Sequence, residues 1–170
     1  MKPREAADAR NCGKCNLCCK LTAIPEFNKP DNTWCEHCEV GKGCRIYEHR
    51  PQMCRAFFCG YIVNPMLDEQ WNPAAAHFFL RAVGDCLIIQ VDPQRPDAWK
   101  REPYHSALRN HARVIYPQGN LIFVKIGNRT IFMLPYEDVD LGHDGDAAAI
   151  RPVLTAAGAR WEAVKSMMEG

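Results

Sequence analysis

Cysteine sets the chemistry this sequence can do. Ten cysteines are present, and nine of them fall between Cys12 and Cys59. The stretch CGKCNLCCK alone holds Cys12, Cys15, Cys18 and the adjacent Cys19. Thiols this dense are either joined as disulfides or gathered around metal. Neighbouring residues pair poorly, because their Cα atoms lie about 3.8 Å apart and a disulfide prefers about 5.5–6 Å. The N-terminal stretch MKPREAADAR lacks the apolar run of a secretory signal. It predicts a chain kept in the reducing cytoplasm, where disulfide frameworks are rare. Metal is the better account, since it fixes thiolates and shields them from oxidation.

The spacing narrows the metal. Cys12 and Cys15 form one C-x2-C pair, and Cys35 and Cys38 form a second. A two-residue gap lets the chain turn so that both sulfurs face one ion with backbone N–H groups pointing at them. Two such pairs make a ribbon-type tetrahedral zinc site. Cys18, Cys19, Cys44, Cys54 and Cys59 remain, enough for a second four-thiolate site with one thiol left over. Adjacent cysteines suit two centres, because neighbouring side chains leave the backbone in different directions. The expectation is two zinc ions, with the sharing of cysteines between them left open by spacing.

An iron–sulfur cluster competes with zinc. CGKCNLC has the C-x2-C-x2-C opening of the bacterial ferredoxin run. The pattern then departs, since Cys19 follows at once and no cysteine here precedes a proline. A remote thiol such as Cys54 could still close a cluster.

CGKCNLCC followed by GCRIYEHRPQMCRAFFC resembles the bacterial CxxCxxCC cysteine-cluster family, described as a zinc- or iron-chelating domain. The likeness runs from Cys12 to about Tyr61. It implies ligands at Cys12, Cys15, Cys18, Cys19, Cys44 and Cys54, with Cys35 or Cys38 in the place of an intervening cysteine. Cys59 and one of Cys35 and Cys38 stand as extras. A related cluster accompanies flagellin lysine methylation in some bacteria, but no methyl-donor domain is visible in this chain, so that activity does not transfer.

The second block predicts a short helix from near Arg50–Pro51, since proline suits a first helical position, with Cys54 on its first turns. Four thiolates around Zn2+ leave a net charge of about −2. Nearby guanidinium groups stabilise such a site, and Arg50 and Arg55 are the candidates to stand behind the thiolates, donating to sulfur or carbonyl. Lys14, Lys20 and Lys42 read as solvated surface. Tyr47, Phe57, Phe58 and Tyr61 read as packing residues. His37 and His49 are not needed as ligands among so many thiols. The other histidines lack ligand spacing, and no catalytic triad, phosphate loop or G-x-G-x-x-G appears.

These residues must be positioned by a fold. Nearly half of the 170 residues are hydrophobic, enough for a real core. The net charge of +1 offers no global field for nucleic acid or anionic lipid, which disfavours a nucleic-acid-binding zinc module. No stretch is apolar and long enough to span a bilayer. After Tyr61, AHFFLRAV, CLIIQV, NLIFVKI and TIFMLP read as strands, with Gly127 in a tight turn before the last. Tyr104, Leu108, Ala112 and Ile115 recur at helical spacing, and Trp99 caps one side of that core. Cys86 falls in a strand and is expected as a buried, unligated thiol.

The expected fold is α+β: an N-terminal cysteine-rich module packed on a small antiparallel sheet with a covering helix and a C-terminal helix. The expected divisions are a metal-binding module over 1–62, a sheet region over 63–141, and a flexible link with the helix over 142–170. Ile150, Val153, Leu154, Ala157, Trp161, Val164 and Met168 share one helical face, which docks on this chain or on a protein partner. Three function classes follow: a zinc-stabilised structural or interaction protein, an iron–sulfur protein with a redox or iron-handling role, and a nucleic-acid-binding zinc module.

Overall fold

The computed structural model describes residues 10, 12–143, 150–155 and 158–163, the last two ranges by their backbone. The chain divides into two compact units, one ending at Arg81 and the other beginning at Ala82. Helices and strands are both present, as the α+β reading requires.

The first unit is built from short elements. They are helix α1 (Leu17–Leu21), the two-residue strands β1 (Cys38–Glu39) and β2 (Gly43–Cys44), and helices α2 (Gln52–Ala56), α3 (Gly60–Val63) and α4 (Pro73–Ala76). None is long enough to be stable by propensity, so tertiary packing must hold them. Leu17 and Leu21, four residues apart on α1, bury themselves with Phe79, and Cys15, Cys18, Phe57 and Cys59 pack against this cluster. Phe57 meets Phe79 edge-on, with ring centroids 5.0 Å apart. Helix α4 starts as its sequence directs: Asn72 Oδ1 accepts from Ala74 N at 3.1 Å, and Pro73 opens the first turn.

The larger sheet has five strands: β3 (Phe78–Val83), whose residues through Arg81 belong to the first unit, and β4 (Cys86–Val91), β5 (Leu121–Ile126), β6 (Arg129–Met133) and β7 (Asp138–His143) of the second, paired in that order. The four expected strands are present, and Gly127 takes a positive φ of 59° in the β5–β6 turn. The expectation of a wholly antiparallel sheet is corrected at one place. Strands β4 and β5 are parallel, in register from Cys86↔Leu121 to Val91↔Ile126. The reason is the intervening helix α5 (Tyr104–Ile115): a crossover this long returns the chain to the same end of the sheet. Tyr104, Leu108 and Ala112 are its buried residues, and Trp99 is fully buried. Strand β7 lies in a stretch rich in Asp and Gly whose end reads as a link. The ladder to β6, not local propensity, makes it a strand.

The C-terminal helix is a second correction. Residues Ile150–Thr155 and Gly158–Ala163 are strands β8 and β9, an antiparallel pair with Ile150 opposite Ala163 and Thr155 opposite Gly158. The sequence permits both readings. Ile150, Pro152 and Leu154, like Ala159, Trp161 and Ala163, also recur at period two, while Gly158 and the β-branched Ile150, Val153 and Thr155 weaken a helix. Ala157, Val164 and Met168 of the expected helical face lie outside the described residues. No helix among the described residues is long and apolar enough to cross a membrane.

Candidate metal centre

In the first unit the turns and short helices bring distant thiols together. Cys15 N donates to Cys12 O at 2.7 Å, closing the first C-x2-C turn. Gly13 makes that turn possible: its φ of 49° is left-handed, where a side chain is strained. Helix α1 then presents Cys18 and Cys19. Successive residues on a helix diverge by about 100° at Cβ, and the Cys18 side chain turns back to hydrogen-bond the Cys19 sulfur. Cys18 packs with Cys15 and Cys59 against the Leu17 and Phe79 cluster. A second turn joins Cys38 N to Cys35 O at 2.9 Å, and Cys35 N bonds Cys19 O at 3.1 Å. The β1–β2 ladder sets Cys38 opposite Cys44. Cys54 rides on α2, where Glu26 Oε1 accepts from Met53 N at 3.1 Å.

Eight of the nine clustered cysteines, all but Cys38, line one cavity of about 700 Å³, together with apolar side chains that include Ile24, Phe57 and Phe79. Cys86 is not among the lining residues. It lies half-buried in β4 against Leu121, Phe123 and Phe132. All ten cysteines are free.

The electrostatic contacts sort the thiols. Cys59 feels the charges of Cys15 and Cys12, and Cys18 feels those of Cys12 and Cys15. Cys54 and Cys38 both feel Cys35 and Cys44. One set is thus Cys12, Cys15, Cys18 and Cys59; the other is Cys35, Cys38, Cys44 and Cys54. Each set takes one of the two C-x2-C pairs. Cys19 touches both sets. The Cys18 and Cys38 thiols each hydrogen-bond its sulfur, and its charge also acts on Cys12, Cys15 and Cys54.

The thiol acidities follow from this layout. Burial pushes Cys12, Cys15, Cys54 and Cys59 up and takes Cys38 to about 12. Cys18 is raised chiefly by the hydrogen bond it makes to Cys19, with burial adding to it. Cys19, the acceptor, is lowered to about 6 by its bond from Cys18, helped by Cys38, Lys29 and Arg50. Two sulfurs are cradled by backbone: Leu17 and Ala74 hydrogen-bond Cys15, and Tyr61 and Ile62 hydrogen-bond Cys59, in each case favouring the thiolate.

Cations stand behind the thiols as charge balance requires, though not all where the sequence suggests. Arg50 acts on Cys12 and Cys19, donates from Nε to Tyr47 O at 2.8 Å, and lies 3.5 Å over the Tyr47 ring. Arg55 lines the cavity but its Nε donates to Arg50 O at 2.6 Å, so it holds Arg50 rather than a sulfur. Lys29 is the residue sequence reasoning misses. It is buried, and its Nζ donates to the carbonyls of Thr22, Pro30 and Lys20 at 2.5, 3.0 and 3.2 Å. From there it faces the Cys35, Cys19 and Cys54 charges. A lone lysine beside proline carries no sequence signal for such a role. His37 lines the cavity with its ring edge-on to Phe27, whereas His49 is exposed. Of the four aromatics read as packing residues, Phe57 and Tyr61 pack inside this unit, while Tyr47 and Phe58 are exposed.

Thiol donors alone, balanced by ammonium and guanidinium groups, are the chemistry of a soft cation or an iron–sulfur core. Among the described residues, however, no three His, Cys, Asp or Glu side chains stand close enough to enclose an ion. Converging donors are present, but a closed ligand set is not. No family model, no curated protein and no solved structure matches this chain. The likeness to the CxxCxxCC family therefore rests on the residues and spacing of its two cysteine blocks.

Proposed function

We propose that the first unit is a thiolate metal-binding module that holds two zinc ions, with a mainly structural or interaction role. One observation carries the reading: eight cysteines spread from Cys12 to Cys59 line a single cavity. Packing of a small unit does not need that convergence, since buried thiols serve equally well scattered. Each four-cysteine set has the donor count and softness of one tetrahedral site. The sulfur-directed N–H groups at Cys15 and Cys59 are those a bound thiolate uses.

The test is purification under anaerobic, reducing conditions, followed by elemental analysis and thiol titration of the native protein. Two zinc ions per chain in a colourless protein are expected. A single metal per chain with four or more thiols still titratable would overturn the two-centre reading. An iron–sulfur cluster is the second reading, favoured by the continuity and apolar lining of the cavity. It predicts a brown protein that carries iron and acid-labile sulfide and bleaches on reduction.

A further inference from the structure

Two of the clustered cysteines face each other across a strand ladder. Cys38 of β1 lies opposite Cys44 of β2 in an antiparallel pair, with Glu39 opposite Gly43. Arg45 N donates to His37 O at 2.9 Å, which puts the backbone bonds on the pairs that flank the two cysteines. Cys38 and Cys44 therefore form a non-hydrogen-bonded pair, in which Cα atoms approach to about 4.5 Å and facing side chains lie closest. A disulfide spans Cα separations of about 4.4–6.8 Å, so this register accepts one without moving the backbone. The register is well held. Lys42 N donates to Glu39 O at 2.9 Å to close the turn, and Gly41 supplies the left-handed residue there, with a φ of 78°. Asn16 Nδ2 donates to Glu39 O at 3.0 Å, and Arg45 Nη2 donates to Glu36 O at 2.5 Å. Both thiols are free and half-buried. Cys44 lines the cavity and Cys38 does not, so the pair sits at its rim, joined by the exposed turn residues Glu39 to Lys42.

We propose that Cys38 and Cys44 are a redox-active pair that closes into a cross-strand disulfide by exchange with a low-molecular-weight disulfide such as oxidised glutathione. The exchange balances in two steps. The Cys38 thiolate attacks one sulfur of the oxidant, whose S–S bond breaks, and one small thiol leaves with the proton that Cys38 gave up. The Cys44 thiolate then attacks the Cys38 sulfur of the mixed disulfide, and the second small thiol leaves with the Cys44 proton. The protein loses two hydrogens with their electrons, and the oxidant gains them. Cys38 reacts first because it stands outside the cavity lining. The C-x2-C pairs are weaker rivals. Cys35 is buried, and no ladder turns Cys12 and Cys15, or Cys35 and Cys38, onto a common face. The pair rests on strand register and touches the metal reading at one point: a cation held by these two sulfurs is released when they join.

Disulfide mapping reads the pair directly. The full chain, purified under anaerobic, reducing conditions with the metal it carries, is equilibrated in glutathione buffers of rising oxidised fraction. The first disulfide to form is located by trypsin and tandem mass spectrometry, since cleavage after Lys42 separates the two cysteines. A Cys38–Cys44 link is expected, with the loss of two titratable thiols and of bound metal in step. Cys38→Ser and Cys44→Ser should each lose that link and hold glutathione on the remaining thiol. A first disulfide between any other two cysteines, Cys35 and Cys38 included, would overturn the pair, and metal in the reduced protein would leave the metal module standing. No protein disulfide even in fully oxidised glutathione would overturn the pair as well. A Cys38–Cys44 link in a chain that carries no metal as purified would uphold the pair and overturn the metal reading instead. Metal retained after the link closes would strike Cys38 and Cys44 from the ligands and leave the pair standing.

Discussion

At the scale of single residues, most of the clustered thiols resist ionising unless a cation arrives, and Cys19 is the exception. Cys12, Cys15, Cys38, Cys54 and Cys59 are raised above the ordinary thiol value first by burial, and Cys18 first by its bond to Cys19. At neutral pH these groups hold their protons, and metal must displace them. Metal binding should therefore acidify a weakly buffered solution by about one proton for each of these raised thiols bound, with little from Cys19, which is lowered to about 6, and affinity should fall as pH falls. A pH-indicator titration of the reduced, metal-free chain with zinc measures this, and binding without proton release would exclude the thiols as ligands. Lys29 supplies the second residue-scale prediction. Lys29→Met leaves three carbonyls without their charged donor and removes a cation facing three thiols. A loss of about 1.5–3 kcal/mol in chemical denaturation is expected. Metal affinity of the second set should weaken as well. Unchanged stability would show that the carbonyls find water instead.

At the scale of elements, two contacts decide how helices sit. Gly60 opens α3 immediately after Cys59, and a Cβ there would lie 2.8 Å from Leu80 Cβ and 3.0 Å from Leu80 O. Replacing glycine by alanine in an unobstructed helix stabilises by roughly 0.5–1 kcal/mol. Here the collision with β3 should reverse the sign, and Gly60→Ala should cost about 1–3 kcal/mol. It should also loosen Cys59, seen as weaker metal retention against a competing chelator, whereas a gain in stability would mean that α3 can slide away from the strand. In the second unit, Arg109 of α5 forks onto the turn between β6 and β7. Its Nη1 donates to Leu134 O at 2.5 Å and Glu137 O at 2.8 Å, and its Nη2 donates to Asp138 Oδ1 at 2.8 Å. A lysine keeps the charge but cannot span three acceptors. Arg109→Lys should cost about 1.5–3 kcal/mol, read from the denaturation midpoint. No change would reduce the fork to a surface contact.

At the scale of the whole molecule, the two units draw on different sources of stability. The second has a run of fully buried apolar side chains, among them Ile89, Val91, Trp99, Val124 and Phe132. The first has its small Leu17, Leu21 and Phe79 cluster and nine thiols. Metal should supply much of the first unit's folding free energy, on the order of 10 kcal/mol per structural zinc site. Chelation should collapse the amide dispersion of residues before about Tyr61 and leave the signals of β5 and β6 in place. Uniform loss of both would show one interlocked core.

Much of this could be read from local pattern. The C-x2-C turns, the helix bearing Cys54, strands β3 to β6 and the buried face of α5 all depend on residues within a turn or two of one another, where spacing and steric preference act directly. The nine clustered thiols stand out in the sequence as candidate ligands because thiols at such short gaps have few other uses. The grouping of those thiols was not legible. It joins Cys59 to Cys12 and Cys15, and Cys54 to Cys35, across gaps that loop closure leaves undetermined. Parallel pairing of β4 and β5, the role of Lys29 and the placing of Cys19 between two sets were decided in the same way, by the packing of elements distant in the chain. At β8 and β9 even the element type was settled late. Their apolar residues satisfy both a helical period and a strand period, and a ladder between two segments can outweigh weak local preference.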